Sequence, residues 1–460
     1  MHPTPQRQRG AVAIMVALAL VLLIGVAGLV VDAGAAYLVK ARLNAAVDSA
    51  ALAGARAVTI GATQSEQAAN AKTAATTFFA ANIPATYMLS KPSLQSVNVS
   101  FNGGTATIDV YAEAPMPVSL MQVMGFTSLN PQAYAQTIRR DLDMALVMDT
   151  SGSLSDNAAT VRASAKTFLN KFNVTQDRVA LVHFAVGAQV DNAISKTTRG
   201  FNRTSMFSNI DAFRFQDYTD SAEGMWNGRS QLNSITANRS VTRVIVFFSD
   251  GAPTSLASYM NFKNAGDCST SGAIESTSAT GGLYSINSST KSSLGGGCNI
   301  YRDINGDGRS DLAISSLPDW YNAHNTGGYA ARNDPAQREF PIVTSAANPT
   351  PRLVTNDVST STAVYRNVDR AARNVTEAIA SKARDEGIVV FTLGMGSALK
   401  SPTGYDGEIG EKVLKCMANV ADSYCYNAKQ PVGMYCYAAT EADLTPCFSR
   451  LASAILRISK

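Results

Sequence analysis

The chain has 460 residues, 46% of them hydrophobic and 16% charged, a composition that excludes a mainly disordered protein and provides for several buried cores. Its 39 Lys and Arg against 35 Asp and Glu give a net charge of +4, with no dense basic run, which argues against nucleic acid as a partner and against a polybasic membrane surface. The three histidines, His2, His183 and His324, lie far apart in sequence, so a poly-histidine metal centre or a histidine-based catalytic relay has few parts to use.

The first predicted element is an uncharged apolar run from Ala11 to Val31, preceded by Arg7 and Arg9 and closed by Asp32. As a helix it is about 31 Å long, the thickness of the hydrocarbon core of a bilayer. The positive-inside rule then keeps residues 1–10 in the cytoplasm and places everything after Asp32 outside it. A cleaved signal peptide is the competing reading, and the length of the run disfavours it. From Ala35 to Val58 no proline occurs, and Leu38, Leu43, Ala46, Ala50 and Ala53 recur near helical spacing. The helix is therefore expected to continue as a stalk, its stripe covered either by its own domain or by another subunit.

Residues 66–82 read as a second helix. Alternating runs at 97–101 and 106–114 flank Asn102-Gly103-Gly104 and predict a hairpin. A short helix at about 117–124 and a strand-like run to Arg139 complete a small α+β region within 32–140. From Asp141 onward the pattern alternates strand and helix: MALVM, a helix from Ser155 to Phe172, RVALVHFA, RVIVFF, a helix at about 361–386, GIVVFTLGMG, and a closing helix from Asp443 to Ile458. Apolar strands separated by helices predict an α/β domain over 141–460 with a doubly wound, mostly parallel sheet. A Ser/Gly/Asn-rich segment at about 253–350 interrupts the pattern and is read as an insertion.

Three separated pieces of this domain are expected to converge. Asp149-Thr150-Ser151-Gly152-Ser153 follows the strand MALVM, Thr219 precedes a helical stretch, and Asp250-Gly251 follows VIVFF. Loops at the carboxyl ends of strands meet at the switch point of such a sheet. Oxygen donors alone suit Mg²⁺ or Mn²⁺. Hydroxyls of Ser151, Ser153 and Thr219 are neutral, so the carboxylates of Asp149 and Asp250 leave the charge of an ion partly unquenched and an acidic group of a partner protein can complete its shell. Asp217 and Asp220 are acidic neighbours able to replace Thr219.

Inside the insertion, Asp303, Asn305, Asp307, Arg309 and Asp311 occupy positions 1, 3, 5, 7 and 9 of a loop with Gly308 at position 6, Arg309 offering its backbone carbonyl. This is a Ca²⁺-loop pattern, although Ile314 stands where an EF-hand carries its final glutamate. Six cysteines, Cys268, Cys298, Cys416, Cys425, Cys436 and Cys447, fall on the non-cytoplasmic side, where an even count favours disulfides. Nearness suggests Cys268 with Cys298, Cys416 with Cys425 and Cys436 with Cys447, among the pairings that sequence leaves open.

The string RGAVAIMVALALVLLIGVAGLVVDAGAAYLVKARLNAAVDSAALAGA resembles the N-terminal segment of TadG-type proteins of the Flp (Tad) pilus-assembly system. The likeness does not extend to prepilin processing, since Met15 stands where prepilins carry a glutamate. The Asp149-x-Ser151-x-Ser153, Thr219 and Asp250-Gly251 set resembles the metal-ion-dependent adhesion site of von Willebrand factor type A domains, which implies that fold over 141–460. The calcium-loop residues are similar to DxNxDGxxD loops of extracellular calcium repeats.

Neither GxSxG nor HExxH occurs, and His183 lies in RVALVHFA, where a core or sheet-face histidine is expected. The chain is read as non-enzymatic. The resemblances imply a single-pass protein of the bacterial inner membrane, its bulk in the periplasm or at the cell surface, that binds other pilus-assembly proteins through a metal. A released or surface-exposed adhesin for a host or matrix ligand is the alternative, and a vestigial metal site on a structural spacer is a third reading.

Overall fold

The computed structural model describes residues 9–58, 60, 63–102, 105–235, 241–264, 266–276, 283–324, 338–346 and 350–458. Arg7 and the turn residues Gly103 and Gly104 lie outside them. The chain divides into two compact units, with the boundary between Arg140 and Asp141.

In the first unit the apolar run and the stalk form one continuous helix, α1 (Arg9–Ala57), long and apolar enough to cross a membrane. Helix α2 (Gln64–Asn82) starts at Thr63, whose hydroxyl accepts the Glu66 N–H at 3.2 Å while the Glu66 carboxylate accepts the Thr63 N–H at 3.3 Å. This reciprocal capping satisfies two donors that a helix start leaves free. Strands β1 (Ser93–Asn102), β2 (Thr105–Glu113) and β3 (Gln132–Arg140) form an antiparallel sheet in the order β1-β2-β3. Ala106, Ile108, Val110 and Ala112 alternate inward along β2, as the two-residue period of a strand requires. They form a core with Val39, Leu43, Ala46, Val47 and Ala50 of α1. The stalk stripe is thus covered by its own unit. Leu38, expected in that stripe, is 50% exposed, and Val39 takes the inward position. The short helix expected at 117–124 is a 3₁₀ turn, Met121–Met124.

In the second unit the elements are β4 (Leu142–Asp149), α3 (Ala158–Leu169), β5 (Arg178–Phe184), β6 (Ala188–Asn192), α4 (Arg203–Ala212), α5 (Ser221–Asn233), β7 (Thr242–Ser249), α6 (Ser361–Asp385), β8 (Val389–Met395), α7 (Glu411–Met417), β9 (Tyr435–Ala438) and α8 (Glu441–Ile458). The sheet order is β9-β8-β7-β4-β5-β6, parallel except for the edge strand β6. Every residue of β4 is buried, which is why its sequence is a continuous apolar run rather than an alternating one. Met144, Leu146 and Met148 enter one core with α3, α4 and α8, while Ala145 and Val147 enter the other with α5 and α6. The result is a three-layer α/β/α unit. Gly228 of α5 lies close to the sheet, where a Cβ would meet Val147 Cγ2 at 2.8 Å.

The helix expected from Ser155 begins at Ala158, because Gly152–Asn157 is a 3₁₀ turn. The insertion contains short two-stranded ladders: 255–258 with 272–275, 261–262 with 314–316, 301–302 with 311–312, and 320–321 with 340–341. Its Leu256, Ile274, Leu283 and Ile314 join the core beneath α5 and α6. The disulfides are Cys268–Cys298, Cys416–Cys425 and Cys436–Cys447, the pairing that nearness favours.

Candidate metal site

From β4 the chain passes to β5 on one side, and it later returns as β7 on the other side of β4. The carboxyl ends of β4 and β7 therefore flank a switch point. Asp149 is the last residue of β4, and Asp250 directly follows β7. Two backbone bonds draw the loop before α5 over the same end: the Gln216 N–H donates to Thr150 O at 2.9 Å and the Gly152 N–H to Asp217 O at 3.0 Å.

Four of the five predicted residues form one hydrogen-bonded cluster. The Ser153 hydroxyl donates to Asp250 Oδ1 at 2.9 Å, Ser151 Oγ lies 3.3 Å from Ser153 Oγ, and the Ser151 N–H donates to Asp149 Oδ1 at 2.8 Å. Ser249, which sequence reasoning missed although it directly precedes Asp250, donates its hydroxyl to Asp149 Oδ2 at 2.5 Å. Thr219 is buried at the rim and held by its backbone, its N–H donating to Thr254 Oγ1 at 3.0 Å and its carbonyl accepting from the Thr254 N–H at 2.9 Å. Among the described residues its hydroxyl makes no hydrogen bond to the other four. Of the acidic neighbours, Asp217 accepts the Lys291 N–H at 2.8 Å, while Asp220 caps α5 through the Glu223 N–H at 3.1 Å.

Electrostatics make the cluster a place for a cation. Burial pushes the Asp149 carboxyl up to about 6 against the hydroxyl and N–H donors that pull it down. Burial, and then the charge of Asp149, push Asp250 up to about 7. Among the described residues neither group forms an ion pair, and no basic side chain stands among the causes that shift them, so two buried carboxylates face one another. Asp220 is raised well above the usual carboxylate range by burial and the nearby Glu223, and among the described residues its Oδ2 has no hydrogen-bond partner. Oxygen-only donors fit a hard divalent ion. Among the described residues no group of three or more His, Cys, Asp or Glu forms a metal cluster; the hydroxyl-rich set lies outside that kind of site.

The five residues of the calcium-loop pattern lie between the paired segments 301–302 and 311–312. Asp303 accepts the Gly306 N–H at 2.6 Å and the Gly308 N–H at 2.8 Å, which hold its carboxyl below the usual range. Asn305 Oδ1 accepts the Asp307 N–H at 3.0 Å and Asp307 Oδ1 accepts the Arg309 N–H at 2.8 Å, whereas among the described residues Asp311 Oδ2 has no hydrogen-bond partner. Gly306 and Gly308 adopt φ of 81° and 80°, which permits the tight turn.

Two further polar clusters were not foreseen, since their members are distant in sequence. His183 Nδ1 lies 2.7 Å from Asp191 Oδ2 and its Nε2 2.7 Å from Ser289 Oγ. All three side chains are buried or nearly so, and the imidazole packs on Phe213. Glu223 accepts the Tyr321 hydroxyl and lies 2.6 Å from His324 Nε2, while His324 stacks on Trp226 at 3.5 Å. Each ties the insertion to the α/β unit.

The comparisons fit this architecture. Residues 10–57 match the family model described as putative Flp pilus-assembly TadE/G-like, and residues 143–274 match that of the von Willebrand factor type A domain. The chain therefore has a TadG-type architecture, a TadE/G-like N-terminal segment followed by a von Willebrand factor type A domain. No curated protein matches the chain. Among solved structures, the pilus adhesin SpaC from Lactobacillus rhamnosus GG is 15% identical at a TM-score of 0.39, covering 82% of this chain and 34% of its own. This chain thus spans about a third of that adhesin. The von Willebrand domain of the type V pili tip protein Mfa5 from Porphyromonas gingivalis is 13% identical at a TM-score of 0.37, covering 70% of this chain and 98% of its own. Proximal thread matrix protein 1 from the mussel byssus, with a zinc-occupied adhesion motif, is 13% identical at 0.33, covering 69% and 46%.

Proposed function

We propose that this chain is a membrane-anchored, non-catalytic Flp/Tad pilus-assembly protein whose extracytoplasmic von Willebrand factor type A domain binds a protein partner through a divalent cation. The observation that carries the reading is the convergence of the buried Asp149, Ser151 and Asp250 and the exposed Ser153 on one hydrogen-bonded cluster at the switch point, where among the described residues neither carboxylate forms an ion pair. Asp149, Asp250, Ser151, Ser153 and Thr219 would hold Mg²⁺ or Mn²⁺, directly or through water, and the cation would offer a coordination position to a carboxylate of the partner. The protein residues position that encounter: the bonds from Gly152 and Gln216 fix the loop before α5, and Thr254 fixes Thr219.

Ca²⁺ in the loop of Asp303, Asn305, Asp307, Arg309 and Asp311 would order the insertion. The apolar α1, the TadE/G-like match and the placement of all three disulfides after the apolar run support a single-pass inner-membrane protein with its bulk in the periplasm or at the surface.

The test is capture from envelope extract with the detergent-solubilised full chain, with Mg²⁺ against EDTA and with wild type against Asp149→Ala/Ser151→Ala. Pilus-assembly proteins retained by wild type with metal and lost in the other lanes are the expected result. Identical capture in every lane would remove the metal site from the mechanism, and a matrix or host protein captured in their place would favour a released adhesin.

A further inference from the structure

The segment after β2 carries no charged residue between Glu113 and Arg139, and part of it docks on the anchor helix. Gly25, Gly28 and Asp32 are the buried positions at this level of α1, on the face that continues into Val39 and Leu43. A Cβ on Gly28 would meet Leu120 Cβ at 2.8 Å, and one on Gly25 would meet Met124 Sδ at 3.1 Å. The absence of side chains at both positions is what lets the 3₁₀ turn Met121–Met124 lie against the helix. Asp32 fixes the same turn from above. Its carboxylate accepts the backbone N–H groups of Ser119 at 3.0 Å, Leu120 at 3.0 Å and Met121 at 2.8 Å, donors that the start of the turn leaves otherwise unused.

These contacts set a depth. Gly25 lies about 10 Å along the helix axis from Asp32, at about 1.5 Å per residue, and so within the apolar run that ends at Val31. At that level Leu120, Val123, Met124 and Phe126 are 38%, 52%, 57% and 49% exposed. Beside them on α1, Leu22, Val26 and Leu29 are exposed as well. A group of large apolar side chains this size is not left in water on a stable protein.

We infer that the turn around Met121–Met124 is a second membrane element, a wedge that enters the lipid leaflet on the Asp32 side of the bilayer and presents Val123, Met124 and Phe126 to the acyl chains. The inference rests on reading Ala11 to Val31 as a membrane span. Lipid is the occupant because the exposed side chains are level with those of the span, continuous with them, and free of charge. Asp32 then satisfies backbone donors at the membrane boundary, where an unpaired N–H is costly.

The three disulfides use all six cysteines, so one introduced thiol can carry a nitroxide label. Full-length Val123→Cys, Phe126→Cys, Leu22→Cys and Tyr424→Cys are labelled and placed in nanodiscs of phosphatidylethanolamine and phosphatidylglycerol, and collision with O₂ is compared with collision with a water-soluble nickel chelate. The expected result is a several-fold preference for O₂ at 123 and 126, as at 22, with the reverse at 424. Adding Gly28→Leu should move the label at 123 into water while that at 22 stays in lipid; no movement would overturn docking on Gly28. A label at 123 that meets nickel while 22 remains in lipid overturns the wedge, as does one shielded from both reagents, which would mean a protein covers it. If Leu22→Cys itself meets nickel, the span reading has failed and the wedge falls with it.

Discussion

At the scale of single residues, the sharpest consequence concerns Asp149 and Asp250. Both carboxyls lie above their ordinary value near 4, at about 6 and about 7, so between about pH 4 and 7 the metal-free folded protein binds more protons than the unfolded chain. Stability from these groups is then present at low pH and is lost as pH rises through 7. A cation reverses this by replacing the protons. The rise in Tm on adding Mg²⁺ should therefore be small at pH 5 and grow toward pH 8, measured by differential scanning fluorimetry. Asp250→Asn should raise the metal-free Tm at pH 8, by an amount corresponding to about 1–3 kcal/mol, and abolish the Mg²⁺ response. An unchanged Mg²⁺ response would place the ion elsewhere.

The Ser289–His183–Asp191 arrangement invites a catalytic reading, and its burial argues against one. Ser289 is 5% exposed and the imidazole packs on Phe213, so no acyl group can reach the hydroxyl. It is a cross-link between β5, the end of β6 and the insertion. A serine-directed fluorophosphonate should leave Ser289 unlabelled on intact-mass analysis, and Ser289→Ala should lower stability in urea by about 1–3 kcal/mol, since it leaves a buried ring nitrogen unpaired. Labelling of Ser289 would restore the enzymatic reading.

At the scale of elements, what could be read from sequence followed from burial. MALVM, RVALVHFA, RVIVFF and GIVVFTLGMG are apolar over most of their length because both faces of their strands are covered, and that signature needs no partner to be recognised. One of these strands ends at Asp149 and another is directly followed by Asp250, so most of the hydroxyl and carboxylate cluster was legible once the strands were. Strand β9, Tyr435–Ala438, was missed because it is short and alternates in burial, and α4 because its polar sequence RTSMFSNIDA shows no apolar stripe. The clusters at His183 and Glu223 were illegible for another reason: their partners, Ser289, Tyr321 and His324, belong to an insertion whose path sequence periodicity does not encode.

That insertion is held by a disulfide closing 30 residues and by the loop of residues 303–311. Removing the bridge with Cys268→Ser/Cys298→Ser should cost about 3–4 kcal/mol in the loop-entropy model, read as a lowered urea midpoint. Arg309 is exposed within the loop. Saturating Ca²⁺ should slow tryptic cleavage after Arg309 severalfold relative to EGTA, because cleavage requires local opening. Equal rates would leave only the internal Asx turns of that loop.

At the scale of the whole molecule, the question is whether the N-terminal helix stays attached. A signal peptidase needs an extended segment after the apolar core, and the small residues Ala33, Gly34, Ala35 and Ala36 offer candidate positions in sequence. In the structure these residues lie inside the uninterrupted α1, between Asp32, bonded to the Ser119–Met121 backbone, and Val39 and Leu43, which are fully buried. Cutting there requires unwinding a helix that forms part of the core of the first unit, a cost that is absent from a leader joined to its protein by a loop. The mature protein should therefore carry the apolar run, fractionate with the membrane until detergent is added, and give the full-chain intact mass. Asp32→Ala removes the acceptor for three backbone N–H groups and should loosen this region, increasing the proportion of a shorter species that starts near residue 35. Recovery of the wild type mainly as that species from the soluble fraction would show that the helix is cut despite its packing and would move the binding site off the membrane.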